Sequence, residues 1–197
     1  MKQALLFITI LVLLTPESKA QKTFSGGLLF GISASQVDGD AQYKYKKPGL
    51  IAGTYVLRPF SERAALKIET YYIGKGAVLN ETLTDGTTVQ VFKTSLHYIE
   101  MPFLFNFEIY PKIEVAAGIA PSYLFYAKQT TYRMTVPYFQ ETLKEFDFQP
   151  TGELNFYLTD NITTSVRLAY SLFNLKNDYM STFYNNNLSL VFFYKIK

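Results

Sequence analysis

Few side chains in this sequence are suited to chemistry, because it contains a single histidine and no cysteine. His97 would need a carboxylate and a nucleophile nearby to act as a general base. Its neighbours in the alternating pattern, Ile99 and Met101, place it instead on an apolar row. A metal site on one histidine would need several carboxylates at matching spacings, and the sequence offers no such spacing. We therefore expect His97 to be an interfacial polar residue, and we predict no catalytic and no metal site.

A second group of candidates consists of charged residues spread along the chain. Two interpretations fit them: a catalytic carboxylate cluster, or a structural ion network in which acids and bases neutralise one another. The residues are Lys67, Glu69, Lys75, Glu100, Glu108, Asp147, Glu153 and Arg167. The choice between the two interpretations depends on the elements that carry these residues.

Two further segments combine aromatic rings and cations, the residue types that make strong interface anchors. The first is basic with interleaved aromatics: Tyr43, Lys44, Tyr45, Lys46 and Lys47. It is either a contact for an anionic partner or an ordinary solvated loop. The second is aromatic: Tyr132, Tyr138 and Phe139. It is apolar enough to fold over an interior or to meet a partner.

The N-terminus predicts export. Lys2 precedes an apolar run over residues 4–14, and a small-x-small site ends at Ala20. A charged start, a short apolar run and such a site form a secretory signal peptide. The run is shorter than the ~20 residues that span a bilayer as a helix. We predict a signal peptide at 1–20 and one domain at 21–197.

Composition narrows the class further. The absence of cysteine excludes a disulfide scaffold and a catalytic thiol, and a net charge of +3 is too mild to indicate nucleic-acid binding. The chain carries 16 Tyr and 17 Phe, yet no stretch after Ala20 is apolar enough for a membrane helix. Aromatics this dense favour lipid-facing strands with aromatic girdles.

Hydrophobicity alternates with a period of two along most of the chain, which predicts β-strands. Residues 96–110 show this best, with Phe103 and Phe105 on the face opposite Asn106. Pro102 cannot donate a ladder hydrogen bond, so it predicts a bulge there. The eight predicted strands are 23–35, 49–57, 64–75, 96–110, 113–128, 146–158, 163–173 and 187–195. The second of these is apolar on both faces, so its orientation stays open.

The connections between these strands alternate in length, which decides the architecture. The long ones are 36–48, 76–95, 129–145 and 174–186, and the short ones are 58–63, 110–112 and 159–162. Long loops at one end, short turns at the other and an even strand number are typical of bacterial outer-membrane barrels. The predicted fold class is all-β: a closed eight-stranded antiparallel up-and-down transmembrane β-barrel, with long loops on one side and short turns on the other.

The distribution of charge predicts which face meets lipid. The polar rows carry the charged group defined above together with Glu114 and Lys195, whereas the clean apolar rows carry no charge. A Lys or Arg on the lipid face would cost ~2–4 kcal/mol at the midplane. A soluble barrel would have to pack rows of Phe and Tyr into a small lumen. We therefore predict that the polar rows line the lumen, where the charges form a structural ion network.

Short motifs also carry a family resemblance. They are Lys46-Lys47-Pro48-Gly49, Tyr72-Ile73-Gly74-Lys75-Gly76, Tyr98-Ile99-Glu100-Met101-Pro102 and Ala117-Gly118-Ile119-Ala120-Pro121. Together they resemble the PorT-like outer-membrane β-barrel family of the Bacteroidetes, over essentially the whole chain after Ala20. The resemblance implies a barrel and an outer-membrane location. The namesake of that family takes part in protein export by the type IX secretion system.

The functional prediction is a non-enzymatic outer-membrane barrel with a side-chain-filled lumen, which acts through its loops in interaction, envelope integrity or secretion support. The strands serve the bilayer, so recognition falls to the long loops. A narrow pore and an envelope enzyme are the alternatives. The expected partners are outer-membrane lipid including lipopolysaccharide, the barrel-assembly machinery, and secretion-system or envelope proteins. No cofactor and no nucleic acid are expected.

Overall fold

The computed structural model describes residues 24–38, 45–82, 84, 86–132, 134–137, 139–177 and 183–196. The predicted signal peptide lies outside these residues, and so do Tyr43, Lys44 and Tyr138. The strands are β1 (Ser25–Asp38), β2 (Lys47–Pro59), β3 (Ala64–Thr82), β4 (Thr88–Glu100), β5 (Phe103–Tyr110), β6 (Ile113–Thr131), β7 (Met134–Thr135), β8 (Phe146–Tyr157), β9 (Ile162–Tyr170) and β10 (Tyr184–Lys195). One short 3-10 helix, η1, covers Phe139–Thr142. No helix in this part of the chain is long and apolar enough to cross a membrane.

The strands form one closed antiparallel ring. From β1 the order runs through β10, β9, β8, β6, β4 and β3 to β2, which pairs with β1 again. β4 and β5 occupy a single position in the ring, because β5 continues the pairing with β3 and β6 where β4 ends. β7 pairs only with the outer end of β6 and adds no position to the ring. The ring therefore has eight positions, which confirms the predicted fold class.

The predicted fourth strand is interrupted at Pro102, where the sequence predicted a bulge. The backbone nitrogen of Glu69 donates to the carbonyl oxygen of Pro102 at 3.1 Å. The nitrogen of Met101 donates to the carbonyl oxygen of Pro121 at 3.0 Å. These bonds join the two residues between β4 and β5 to β3 and β6, so both neighbouring strands stay connected across the interruption.

The ring is apolar outside and mainly polar inside. β2, whose orientation the sequence left open, turns Ile51 inward at 2% exposure and Leu50 outward at 68%. The outward rows include Phe24, Leu28, Phe30, Val56, Leu66, Phe103, Phe105, Ile119, Phe148, Leu168 and Leu190. An apolar outer surface of this kind is what a bilayer requires, because lipid cannot hydrate a charge.

The hairpin of β3 and β4 is longer than predicted. The sequence assigned 76–95 to a loop, but the two strands stay paired as far as Thr82 and Thr88. Most side chains in this outer part of the hairpin are exposed or half-buried. Without one buried face the alternation of apolar and polar residues disappears, and the sequence signal for a strand disappears with it.

Candidate functional site in the lumen and at its outer end

Four charged side chains form the lower lumen cluster, defined as Lys67, Glu69, Glu153 and Arg167. Arg167 Nη2 lies 2.5 Å from Glu69 Oε2 and 2.6 Å from Glu153 Oε1. Lys67 Nζ lies 2.6 Å from Glu153 Oε2 and 3.1 Å from Glu69 Oε1. Lys67 and Glu69 lie two positions apart on β3, so both side chains point inward. The register of β8 with β9 places Glu153 directly beside Arg167. Two buried acids and two buried bases neutralise one another.

A second group, the upper lumen cluster, lies nearer the long loops and contains Lys75, Glu100 and Asp147. Lys75 Nζ lies 2.5 Å from Glu100 Oε1 and donates to Gln149 Oε1 at 2.7 Å. Gln149 Nε2 donates to Asp147 Oδ2 at 2.6 Å, so an amide connects Asp147 to Lys75. Ser171 Oγ also donates to Asp147 Oδ2 at 2.6 Å. Neutral hydrogen-bond donors therefore provide much of the stabilisation of Glu100 and Asp147.

Glu108 departs from the expected network. It is half-buried at the short-turn end, opposite Glu114 in the pairing of β5 with β6. The ion pairs among the described residues do not include it. Glu108 keeps its inward place in the alternation of β5, but it lies where the regular pairing with β6 ends, and its side chain stays partly exposed there. The other seven residues of the expected network lie in the two lumen clusters.

Glu114 is an acid that the sequence placed on the polar row but not in the network. It is 7% exposed and accepts hydrogen bonds from Asn106, Asn155 and Tyr157. Its partners are neutral and come from two strands, β5 and β8, so no pattern of opposite charges in the sequence points to them. Only the pairing of β5, β6 and β8 brings them together.

The long-loop end of the lumen is covered by the outer cap, which we define as the described residues of 132–145 and 171–183. Phe139, Leu143, Leu175 and Phe183 are buried in it. The rings of Phe139 and Phe183 lie 6.4 Å apart, edge to face. The nitrogen of Lys144 donates to the carbonyl oxygen of Leu175 at 2.7 Å, and that of Leu175 to Phe183 at 2.9 Å. The third and fourth long loops thus form one apolar layer above the charges.

Gln140 anchors the cap to β6. Its Oε1 accepts a hydrogen bond from the nitrogen of Ala127 at 3.2 Å, and its Nε2 donates to the carbonyl oxygen of Phe125 at 3.4 Å. These backbone groups lie where the pairing of β4 with β6 shifts, between His97 and Tyr98. The glutamine therefore pairs backbone groups at the irregularity and fixes the third loop above the lumen.

The aromatic loop segment divides between two roles. The segment was expected either to fold over the interior or to meet a partner. Phe139 is 6% exposed within the outer cap, so it folds over the lumen. Tyr132 is 66% exposed, and its backbone nitrogen donates to the carbonyl oxygen of Val91 at 2.9 Å. Of the two, Tyr132 is therefore the residue available to a partner.

The described part of the basic segment lies at the same end of the barrel. Lys46 is exposed and Lys47 is half-buried, with its Nζ donating to the carbonyl oxygen of Pro48 at 3.2 Å. Tyr45 Oη donates to Asn186 Oδ1 at 2.5 Å, which ties this segment to the start of β10. The exposed cation and the partly exposed ring therefore have a defined position on the outer rim.

His97 faces outward among aromatic rings. Its Nδ1 lies 2.6 Å from Tyr72 Oη, and its ring lies 6.2 Å from that of Phe125 and 5.4 Å from that of Tyr126. Within the described ranges, no group of three or more His, Cys, Asp or Glu could hold a metal ion. The surroundings of His97 are those of a polar residue within an aromatic girdle.

Comparison with known proteins gives the same architecture. Neisserial surface protein A is similar over 89% of this chain and 100% of its own, with 10% identity and a TM-score of 0.58. Ail, the attachment invasion locus protein of Yersinia pestis, is similar over 87% of this chain and 98% of its own, with 11% identity and a TM-score of 0.53. At these identities the likeness shows the fold alone. No curated protein matches at a significant level.

The family is shown by sequence. Residues 18–177 match the family model described as outer membrane protein beta-barrel domain. The match covers most of the chain. The finer resemblance to PorT-like barrels stays a prediction, because the matched family is a general one. The described ring, its apolar outer surface and this match agree, and the chain belongs to the outer-membrane protein β-barrel domain family and is located in the outer membrane.

Proposed function

We propose that this chain is a non-enzymatic outer-membrane barrel that acts through its outer loops, in interaction, envelope integrity or secretion support. The observation that carries the proposal is the filled lumen. Two charged clusters and the outer cap occupy the space that an open channel would need, and an eight-stranded ring leaves room only for side chains. A barrel filled in this way offers partners its loops rather than a passage.

The chemistry of the outer rim supports an anionic partner. Lys46, Lys93 and Lys128 are exposed on the long-loop side, and Tyr45 and Tyr132 are at least 40% exposed there. Cations and aromatic rings together suit the phosphates and sugars of lipopolysaccharide. The Ail structure in complex with the heparin analogue sucrose octasulfate shows a polyanion on a barrel of similar fold, with 13% identity and a TM-score of 0.52.

His97 does not favour the alternative of an envelope enzyme. Its ring lies on the outer surface beside Tyr72 and two further aromatic residues, Phe125 and Tyr126. A general base of this kind also needs a nucleophile and an orienting acid within hydrogen-bond reach. The hydrogen bond to Tyr72 is instead that of an ordinary interfacial pair.

Charge reversal at the two ends of the barrel tests the proposal. Lys46→Glu with Lys93→Glu should abolish complementation of a deletion strain, measured as recovery of envelope resistance to detergent, because it removes the cations that meet the anionic partner. The matched control reverses two exposed bases at the short turns, Arg63→Glu with Lys112→Glu, and should complement fully.

The electrophoretic shift between unboiled and boiled samples is the check that both variants fold. If the outer variant complements and the short-turn variant fails, the working face is the periplasmic one. That result would contradict the proposal and favour the secretion-accessory role that the PorT-like resemblance implies.

A further inference from the structure

At the short-turn end of the lumen, Glu114 is a buried acid held by neutral groups. The ion pairs among the described residues do not include it. Its Oε1 accepts from Asn106 Nδ2, and from Asn155 Nδ2 at 2.9 Å. Tyr157 Oη donates to its Oε2 at 3.0 Å. The three donors fix the carboxylate in place without supplying a positive charge.

Both asparagines also carry free acceptors. Asn106 and Asn155 are each 1% exposed, and neither Oδ1 atom has a hydrogen-bond partner. Because a carboxylate only accepts, each amide nitrogen must face Glu114, which fixes where the carbonyl oxygens point. Buried acceptors in native proteins are rarely left unpaired. We call Glu114, Asn106 and Asn155 the acceptor triad.

The acceptor triad lines a cavity of about 100 Å³. Tyr55 and Phe193 form one wall, with their rings edge to face at 5.2 Å. Asp160 and Lys195, which are exposed, form the rim, so the cavity opens at the short-turn end. That end faces the periplasm in outer-membrane barrels. A water needs only ~10–15 Å³ measured in this way, so the cavity is large enough for a small organic molecule.

We propose that this cavity binds the ammonium group of a small primary amine. An ammonium carries one positive charge and three N–H donors. The acceptor triad offers one negative charge and three acceptors, namely the remaining lone pair of Glu114 Oε2 and the two Oδ1 atoms. The rings of Tyr55 and Phe193 suit a short alkyl group, and aromatic faces attract a cation.

A metal ion fits this cavity less well. Calcium takes roughly 6–8 oxygen ligands, usually with several carboxylates among them, and the acceptor triad contains one carboxylate. Lys67 and Lys195 line the same cavity. Their positive charges oppose a divalent ion more strongly than a monovalent ammonium, because the repulsion grows with the charge of the bound ion.

The direct test is a titration of the folded, nitrogen-15-labelled barrel in detergent micelles with ethylammonium chloride at constant ionic strength. We expect saturable shifts of the side-chain amide signals of Asn106 and Asn155. Ethanol, which lacks the charge, and tetramethylammonium, which lacks the donors, should not reproduce them. These comparisons use the unaltered chain, so they do not depend on a variant that folds.

Matched variants locate the charge that matters. Glu114→Gln should weaken ethylammonium binding by about tenfold or more, because it removes the charge but keeps the shape. Asp147→Asn alters another buried lumen acid that is outside the ion pairs and the cavity lining, and should bind as the unaltered chain does. Equal response to tetramethylammonium, saturation by calcium in place of the amine, or shifts that never saturate would each overturn the proposal.

Discussion

The lower and upper lumen clusters bury charge in different ways. In the lower cluster, the two acids and two bases meet directly in four ion pairs. In the upper cluster, Glu100 pairs with Lys75 but also accepts from Tyr71 Oη at 2.8 Å and Ser122 Oγ at 3.0 Å. In a cluster of direct ion pairs, the loss of one member leaves a buried charge without its partner. In a cluster with several neutral donors, the remaining donors still bind the acid. We therefore expect the lower cluster to fail sharply when one member is lost and the upper cluster to fail gradually.

The largest effect should come from Arg167→Met in the lower cluster. The change leaves Glu69 and Glu153 buried with Lys67 as the one remaining base of the cluster. One buried negative charge is then no longer neutralised. We expect a loss of about 3–5 kcal/mol in the free energy of unfolding. The measurement is the temperature at which the compact unboiled band converts to the unfolded band. A conversion temperature unchanged from that of the unaltered chain would show that the cluster does not stabilise the barrel.

A smaller effect is expected for Glu100→Gln in the upper cluster. Lys75 loses its ion pair but keeps a carbonyl oxygen at the altered position and its bond to Gln149. Gln149 still connects it to Asp147, whose negative charge balances that of the lysine. The expected loss is about 1–3 kcal/mol, read from the same band conversion. If this variant proves less stable than Arg167→Met, the comparison between the two clusters is wrong.

The smallest effect is expected for His97→Ala on the outer surface. This residue loses one hydrogen bond to Tyr72 and some ring contact, and it has no part in either lumen cluster. The free energy of unfolding should fall by about 1 kcal/mol or less. The variant should also complement a deletion strain, and a stable but inactive His97→Ala protein would revive the enzyme alternative.

The sequence predicted the lipid-facing rows because alternation is a local property. Phe103, Phe105 and Phe107 follow one another at every second position, and each is exposed on the outside of β5. The orientation of β2 could not be predicted in this way, since both of its faces are apolar. Only its pairing with β1 and β3 decides that Ile51 turns inward.

The sequence could not predict which side chains meet across the lumen. Arg167 and Glu69 lie 98 positions apart in the chain, and the sequence indicated only that both belong to inward rows. Their meeting depends on how many strands separate β3 from β9 around the ring and on the stagger of each pairing. The acceptor triad was missed for the same reason, with the added difficulty that Asn106 and Asn155 carry no charge to draw attention to them.

The closure of the ring between β1 and β10 bears on the lifetime of the folded protein. The pairing from Gly27 with Lys195 to Asp38 with Tyr184 joins strands from opposite ends of the described chain. Contacts of such long sequence separation form slowly, and before they form the lumen is open to water. We therefore expect Arg167 and its acids to lose their hydration only once the ring has closed. Interactions made that late slow unfolding more than they accelerate folding. The buried charges should therefore act mainly by lowering the rate at which the folded barrel opens.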